Sequence, residues 1–513
     1  MSKPDRLRQT LGRWFAVPWY PILFSAYPVL ALMAFNVGQT KVEAGIRALL
    51  ACISLAAILS LLCRLILRDW SRASFLSTLW LILFFSYGHV DIQLTNELKD
   101  VDFERWLLIA WAVLAVLSLI WAVKKSPAPF ALNVVVLGLV VMSLWQVSSG
   151  VQKGGVHRVA AKNAPVDEHL TRPQHPPDVY YFIVDMYTRQ DLLKTAFGYD
   201  NSPFIQDLES RGFYVAQCSQ SNYTRTELSL ASSLNLSFLQ GLDPKFDDPK
   251  SIGRGRLWDA LKHSAARFNF ENLGYKTISF ANGFPWSELD DADVFISPPP
   301  LSSGLNEFET LFLQTTLARL LQDFGWLDLD QISGQNFRDR DYSVFNGMRR
   351  VVKMPGPKFV YVHLILPHPP FVFAADGSHT DPADFWNERK VYPWGTFKIG
   401  YINQTAFLNT KLLAMIDTIL AGSTTPPIIV IQGDNGPWIQ PNPQHFFILN
   451  AYYLPGNEYK LYPKISPVNT FRLIFDSYFG GHYGLLPDIS YYSPVPKLYD
   501  FSEVKNNCSF GGG

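Results

Sequence analysis

Three apolar runs in the second half of the chain each lead to a polar group that can bind a ligand or carry a proton. Asp178-Val-Tyr-Tyr-Phe-Ile-Val closes on Asp185, and Pro426-Pro-Ile-Ile-Val-Ile-Gln-Gly opens into Asp434-Asn435-Gly436. Lys358-Phe-Val-Tyr-Val-His363-Leu-Ile-Leu breaks at Pro367 and presents His368 between two prolines. In open α/β sheets ligands bind just beyond the carboxyl ends of the strands, so all of these polar termini would face one crevice. A fourth piece, Ser221-Asn-Tyr-Thr224-Arg225-Thr226-Glu227, is a loop feeding a helix. A threonine in the first helical turn lies beside unpaired backbone N–H groups that favour an anion, and a metal next to it would lower its hydroxyl pKa and make a nucleophile. Arg225 can clamp a phosphate or sulfate through two parallel N–H groups.

Each of these residues also has a structural use. An Asp after a strand serves as an Asx-turn or helix cap, and His363, inside its run, fits a satisfied core histidine. Thr224 and Glu227 have the spacing of a capping box, in which Thr224 caps the helix and Thr226 falls in its first turn. Arg225 fits a solvated loop arginine equally well.

The elements that must position these groups follow from the pattern after residue 176. Short apolar runs bounded by Gly or Pro alternate with helical periodicity, which predicts an α/β fold: a central, mostly parallel sheet flanked by helices. A helix is expected from Ser466-Pro467 through Tyr478, as scaffold. Residues 151–176, polar and punctuated by Gly and Pro, are expected to form a linker, 177–498 the α/β domain, and 499–513 a flexible tail.

The first 150 residues have a different composition. Five apolar runs, about 15–37, 48–67, 73–90, 106–123 and 130–147, each have the 18 to 23 residues that reach roughly 27–35 Å as helix, against a hydrocarbon core of about 30 Å. They predict a membrane domain with five transmembrane helices. Lys3, Arg6, Arg8, Arg13, Arg64, Arg68, Arg72, Lys124 and Lys125 flank one set of run ends, with only Asp5 and Asp69 beside them. By the positive-inside rule those ends are cytoplasmic, and everything after residue 150 lies outside the cytoplasm. Cys52 and Cys63 fall in the second run, leaving Cys218 and Cys508 for at most one disulfide on that side. Across all 513 residues, 44 basic side chains balance 44 acidic ones, which argues against nucleic acid as a partner.

Taken in order, the strand ending in Asp185, the helix-initial Thr226, the late Gly433-Asp434-Asn435-Gly436 and the apolar helices ahead of them resemble the sulfatase-like branch of the alkaline phosphatase superfamily. The layout is similar to that of lipoteichoic acid synthases and of the phosphoethanolamine transferases that modify lipid A. The resemblance covers most of residues 177–495. It implies that Asp185, Asp434 and Asn435 hold one divalent metal ion together with the hydroxyl of Thr226, that Thr226 is the nucleophile, and that His368 contacts the transferred group or protonates the leaving oxygen. Arg225 would stabilise the developing charge, and His363 and Asn222 are assigned to substrate binding. Two departures shape the expectation. The transferases usually carry Asp-His-Gly where this chain has Asp434-Asn435-Gly436, and the sulfatases carry a second acid where this chain has Met186, with a C/S-x-P-x-R motif that is missing here. An all-oxygen set favours Mn²⁺, Mg²⁺ or Ca²⁺ over Zn²⁺, with His445 as a candidate substitute ligand. The resemblance thus implies a membrane-bound transferase moving a phosphoethanolamine- or phosphoglycerol-type group onto an envelope glycan or lipid, with a lipid-linked or glycan substrate at the membrane surface. A sulfuric or phosphoric ester hydrolase and an inactive partner in glycan assembly are the alternatives.

Overall fold

The computed structural model describes residues 17–36, 40–97, 103–125, 129–155, 169–298, 304–385, 391–438, 442–495, 497–506 and 508. The chain forms two compact units: Met1–Lys153 with Ser303–Ser333 and Glu388–Val391, and Gly154–Ser302 with Gly334–Asn387 and Tyr392–Gly513.

The first unit is helical. Among the described residues four helices, not the expected five, are long and apolar enough to cross a membrane: Val42–Leu67, Trp70–Thr95, Glu104–Lys124 and Pro129–Ser149. The first apolar run gives the helix Tyr20–Phe35 of 16 residues, about 24 Å long and short of the hydrocarbon core. Proline sets its start and Asn36 its end, where the side-chain amide donates to the Leu32 carbonyl at 2.9 Å. On the helix Ile46–Leu67 the buried residues are Ala48, Cys52, Ala56, Ser60 and Cys63. This stripe of small side chains lets neighbouring backbones approach closely, as membrane helices do where water supplies no driving force.

The second unit is built on a seven-stranded sheet of β1 (Val179–Val184), β2 (Tyr214–Val215), β3 (Lys276–Phe280), β4 (Val294–Ile296), β5 (Lys358–Leu364), β6 (Ile428–Gly433) and β7 (Asn450–Tyr453), in the order β2-β7-β6-β1-β5-β3-β4. The five strands from β6 to β4 are parallel, and β7 runs antiparallel to β6. Every residue of β1, β5 and β6 is buried, as expected for parallel strands covered on both faces. Alternation along β1 sends Val179, Tyr181 and Ile183 into one core and Tyr180, Phe182 and Val184 into the other. The helices Thr226–Leu234, Ala265–Asn272 and Thr470–Tyr478 cover the first face, and Leu329–Val352 and Trp394–Gly422 the second. The helix expected from Ser466 begins as a short 3-10 turn, Pro467–Asn469, before Thr470.

Residues 499–513, expected to be a flexible tail, are ordered over much of their length. The strand β9 (Ser502–Val504) pairs with β8 (Ser490–Tyr492), and Cys508 is disulfide-bonded to Cys218 with Cα atoms 5.6 Å apart. The cause lies in aromatic burial: Tyr499 stacks on Phe246 at 5.4 Å and Phe501 packs against Tyr223 at 5.1 Å. Of the expected linker, residues up to Gly155 continue the last helix, and 156–168 lie outside the described residues.

Candidate active site

The site forms where three parallel strands end side by side. Val184 of β1 is in register with Gly433 of β6 and Leu364 of β5, so Asp185 and Asp434 leave adjacent strands at the same level. Asp185 extends the ladder by one bond, its N–H donating to the Leu364 carbonyl at 3.0 Å. The next residue, Met186, turns into the left-handed region at φ 65°, which only glycine adopts without cost. That turn aims the Met186 N–H at Asp434 Oδ1, 3.0 Å away. Two glycines hold the second acid in place by leaving room. A Cβ on Gly433 would stand 2.5 Å from the Tyr187 carbonyl oxygen, and one on Gly436 would stand 2.7 Å from that of Phe447.

Thr226 arrives from the facing loop. The helix Thr226–Leu234 starts one residue later than a Thr224 cap would place it, because Arg225 takes the N-cap position in an extended conformation and no capping box forms. Glu227, the acid of the expected box, pairs instead with Arg254 at 3.1 Å. Thr226 therefore occupies the first helical position, where the N-terminal dipole is felt. Its hydroxyl lies 3.3 Å from Asn435 Nδ2, which also donates to Asp434 Oδ2 at 2.7 Å. Arg225 adjoins this point but sends Nη2 toward the Pro494 carbonyl at 3.4 Å.

The third strand contributes two histidines with different duties. His363 is buried in β5, with Nε2 3.5 Å from Asp185 Oδ2 and Nδ1 3.0 Å from the amide nitrogen of Asn282. Asn282 is fixed in turn: its oxygen accepts from the Phe284 N–H at 2.8 Å, and its backbone N–H donates to the buried Glu288 at 3.0 Å. With its nitrogen thus facing Nδ1, Nδ1 accepts and the proton of a neutral His363 sits on Nε2, pointing at Asp185. His363 thus stands beside a carboxylate without a hydrogen bond from Nε2 and, being buried, does not offer the substrate-binding surface expected of it. Sequence reasoning did not single out Asn282, although the Asn-Gly pair closing β3 marks a turn at the carboxyl edge of the sheet. His368 lies beyond the strand and is half-buried, its Nδ1 engaged by the Pro369 carbonyl.

The electrostatics of the cluster call for a cation. Burial raises the Asp185 carboxyl, but the fields of His368 and His363 outweigh it and hold the group below the usual carboxylate range. Asp434 goes the other way: burial, and then the charge of Asp185, hold it well above that range against the opposing pull of His363 and the Thr226 hydroxyl. Asp185 Oδ1 is buried without a hydrogen-bond partner. Two repelling buried carboxylates and an orphaned oxygen fit a divalent ion. No group of three or more His, Cys, Asp or Glu side chains among the described residues is arranged to hold one, so a metal here would need hydroxyl or amide oxygens as further ligands. Asn435 now presents its nitrogen, and a half-turn of the amide presents its oxygen instead.

Two expected residues stand outside this cluster. Asn222 is wholly buried and fully engaged, donating to Ser466 Oγ at 3.2 Å and the Ile489 carbonyl at 2.8 Å and accepting from the Val468 N–H at 2.8 Å. It braces the loop that carries Thr226, and its side chain is not open to a substrate as expected. His445 packs its ring on Trp438 at 4.6 Å, and burial pushes its imidazole down to about 4. Its carbonyl, not its ring, serves the acidic turn, by accepting from the Gly436 N–H at 2.8 Å.

No family model matches the chain, and no curated protein matches it. Among solved structures it is similar to the C-terminal periplasmic domain of EcEptC from Escherichia coli, at 14% identity and TM-score 0.39 over 63% of this chain and 90% of that one. A further structure of that domain is a complex with Zn. The integral membrane lipooligosaccharide phosphoethanolamine transferase A from Neisseria meningitidis matches at 12% identity and TM-score 0.36, over 90% of this chain and 95% of that one. The lipoteichoic acid synthase LtaP from Listeria monocytogenes matches at 13% identity and TM-score 0.33, over 60% and 74%.

Proposed function

We propose that the chain is a membrane-bound, metal-dependent transferase that moves a phosphoethanolamine- or phosphoglycerol-type group from a lipid-linked donor to an envelope glycan or lipid, with Thr226 as nucleophile. The observation that carries this reading is the convergence of a helix-initial hydroxyl, through Asn435 at 3.3 Å, on a pair of buried carboxylates at the carboxyl edge of the sheet. One divalent ion of the Mn²⁺, Mg²⁺ or Ca²⁺ type, held by Asp185, Asp434, Asn435 and Thr226, would neutralise the carboxylates and lower the hydroxyl pKa.

Thr226 reacts as the alkoxide, favoured by the helix N-terminus. Its Oγ forms a bond to phosphorus as the bond to the donor's alcohol breaks, and the departing oxygen takes a proton from His368. The acceptor hydroxyl then attacks phosphorus, the Oγ–P bond breaks, and its proton returns to His368. Arg225, swung away from the Pro494 carbonyl, would meet the equatorial oxygens while charge builds on them. With water as acceptor the same steps hydrolyse the ester, so the product distinguishes transferase from hydrolase.

Two features support a location of the domain outside the cytoplasm. Lys124 closes the helix Glu104–Lys124 and Lys125 caps it, a basic pair that the positive-inside rule assigns to the cytoplasmic side, and the next apolar helix, Pro129–Gly155, is long enough to carry the chain across. The Cys218–Cys508 disulfide is of the kind that persists in an oxidising compartment.

The test is turnover of a labelled phospholipid by the full chain in vesicles. Thr226→Ala is expected to lose about 10⁴-fold or more of the rate, and the wild type to yield a phospho-adduct on Thr226 when quenched. Full turnover by Thr226→Ala overturns the scheme.

A further inference from the structure

Residues 303–333 belong to the membrane unit although the sequence on either side of them belongs to the sheet unit. Two short helices, Glu307–Gln314 and Arg319–Asp323, make up this excursion. Ion pairs clamp it to the ends of two spans: Glu309 takes Arg47, at the start of Ile46–Leu67, through two short bonds, and Arg319 reaches Asp91, near the end of Trp70–Glu97, at 2.9 Å. Those spans run in opposite directions, so Arg47 and Asp91 mark the same end of the bundle.

The excursion also reaches below that end. The Leu317 N–H donates to the Phe84 carbonyl at 2.7 Å, and Gly88 is bare because a Cβ there would lie 2.3 Å from the Gln314 carbonyl oxygen. Phe84 and Gly88 stand about 21–27 Å along the helix from Trp70, which falls in the last third of a hydrocarbon core of about 30 Å counted from the start of that candidate span. Phe308 and Phe312 are buried in one apolar cluster with Val29, Leu30, Phe85 and Val140 of the membrane helices. Yet other residues of the same excursion are left exposed among the described residues. Leu311 is 40% exposed, Leu321 36%, Phe324 60% and Trp326 78%.

We propose that these residues form a second membrane-contact surface, seated in the headgroup–acyl boundary, with Phe324 and Trp326 as its interfacial anchors. The occupant is lipid because the excursion is continuous with helices that cross the bilayer and meets them at a depth where the surroundings are lipid. Aromatic side chains favour that boundary, where an apolar ring meets a wet edge. The catalytic-domain sequence is thereby fastened to the membrane at a point about 150 residues beyond the last span.

Spin labels on the full chain in phosphatidylcholine–phosphatidylglycerol vesicles test this. Leu321→Cys, Phe324→Cys and Trp326→Cys are each made with Cys52→Ala and Cys63→Ala, and Tyr459→Cys, 78% exposed on the sheet unit, gives the aqueous reference. Oxygen, which partitions into lipid, is expected to collide with the three labels several-fold more often than a water-soluble nickel chelate, with the order reversed at position 459. Dominance of the chelate at Phe324 and Trp326 would overturn the proposal, as would low access to both reagents, which means a protein partner covers the surface. An independent measurement needs no cysteine: Trp326→Phe should remove part of the emission quenched by brominated acyl chains, and unchanged quenching would contradict the assignment.

Discussion

At the scale of single residues, Thr226, Asn435 and Asp434 meet in one hydrogen-bonded cluster while asparagines such as Asn222 and Asn282 brace the elements around it. Asp185, Asp434, Asn435 and Thr226 were legible as strand-end acids, an amide and a helix-initial hydroxyl, because local pattern alone dictates those positions. Asn222 was misassigned and Asn282 missed for one reason: which way an asparagine faces depends on strands and loops far away in sequence, Ser466, Val468 and Ile489 for one and His363 for the other. If Asn282 fixes the tautomer of His363, Asn282→Ala should lower divalent-ion affinity or activity about 10–100-fold, the usual cost of losing a group that orients a ligand. Titrating wild type and variant with Mn²⁺ checks this; unaltered affinity and rate would remove Asn282 from the site.

At the scale of elements, β1, β5 and β6 were readable from uninterrupted apolar runs, whereas their joins were not. The left-handed turn at Met186 follows from Asp434 needing its N–H, a tertiary demand with no local signature. Gly433 is the counterpart on the neighbouring strand. Gly433→Ala sets a Cβ against the Tyr187 carbonyl, and should cost about 1–3 kcal/mol of stability by overpacking and weaken ion binding. Unfolding midpoints and ion titration on the same preparation would show both losses. Away from the site, His263 follows the helix Gly255–Lys262 and is held by Asp259 at 2.8 Å and Asp291 at 3.2 Å. Its hydrogen bonds to these acids raise the imidazole to about 9, against the opposing effect of burial. Because the folded value lies above the unfolded one near 6.5, this stabilisation is complete below about pH 6.5 and is lost as pH rises through about 9. His263→Gln should therefore destabilise by about 1–2 kcal/mol at pH 6.5 and by much less at pH 10, measured by thermal unfolding of the full chain. Equal losses at both pH values would contradict the assignment.

At the scale of the whole molecule, composition divided the chain correctly into an apolar helical half and an α/β half, but not the count of spans or the fate of the end. The first run becomes helical only from Tyr20, continues through Pro28 and ends at Asn36, and an aromatic stretch after residue 498 folds back before the glycine-rich terminus. The excursion 303–333 was invisible because its helices are short and only their partners in the membrane unit give them a place. The disulfide offers a check on sidedness. Full chain isolated without reductant and then denatured should show two free thiols, Cys52 and Cys63, and four after reduction. Four before reduction would argue against an oxidising compartment. The central claim, that Asp185 and Asp434 hold a catalytic divalent ion beside Thr226, is tested most directly by elemental analysis of the full chain after dialysis against Mn²⁺, Mg²⁺, Ca²⁺ or Zn²⁺, wild type beside Asp185→Ala. The account predicts one tightly held ion per wild-type chain and none in a folded Asp185→Ala; a well-folded wild type that retains no ion, or a variant that retains it fully, would contradict it.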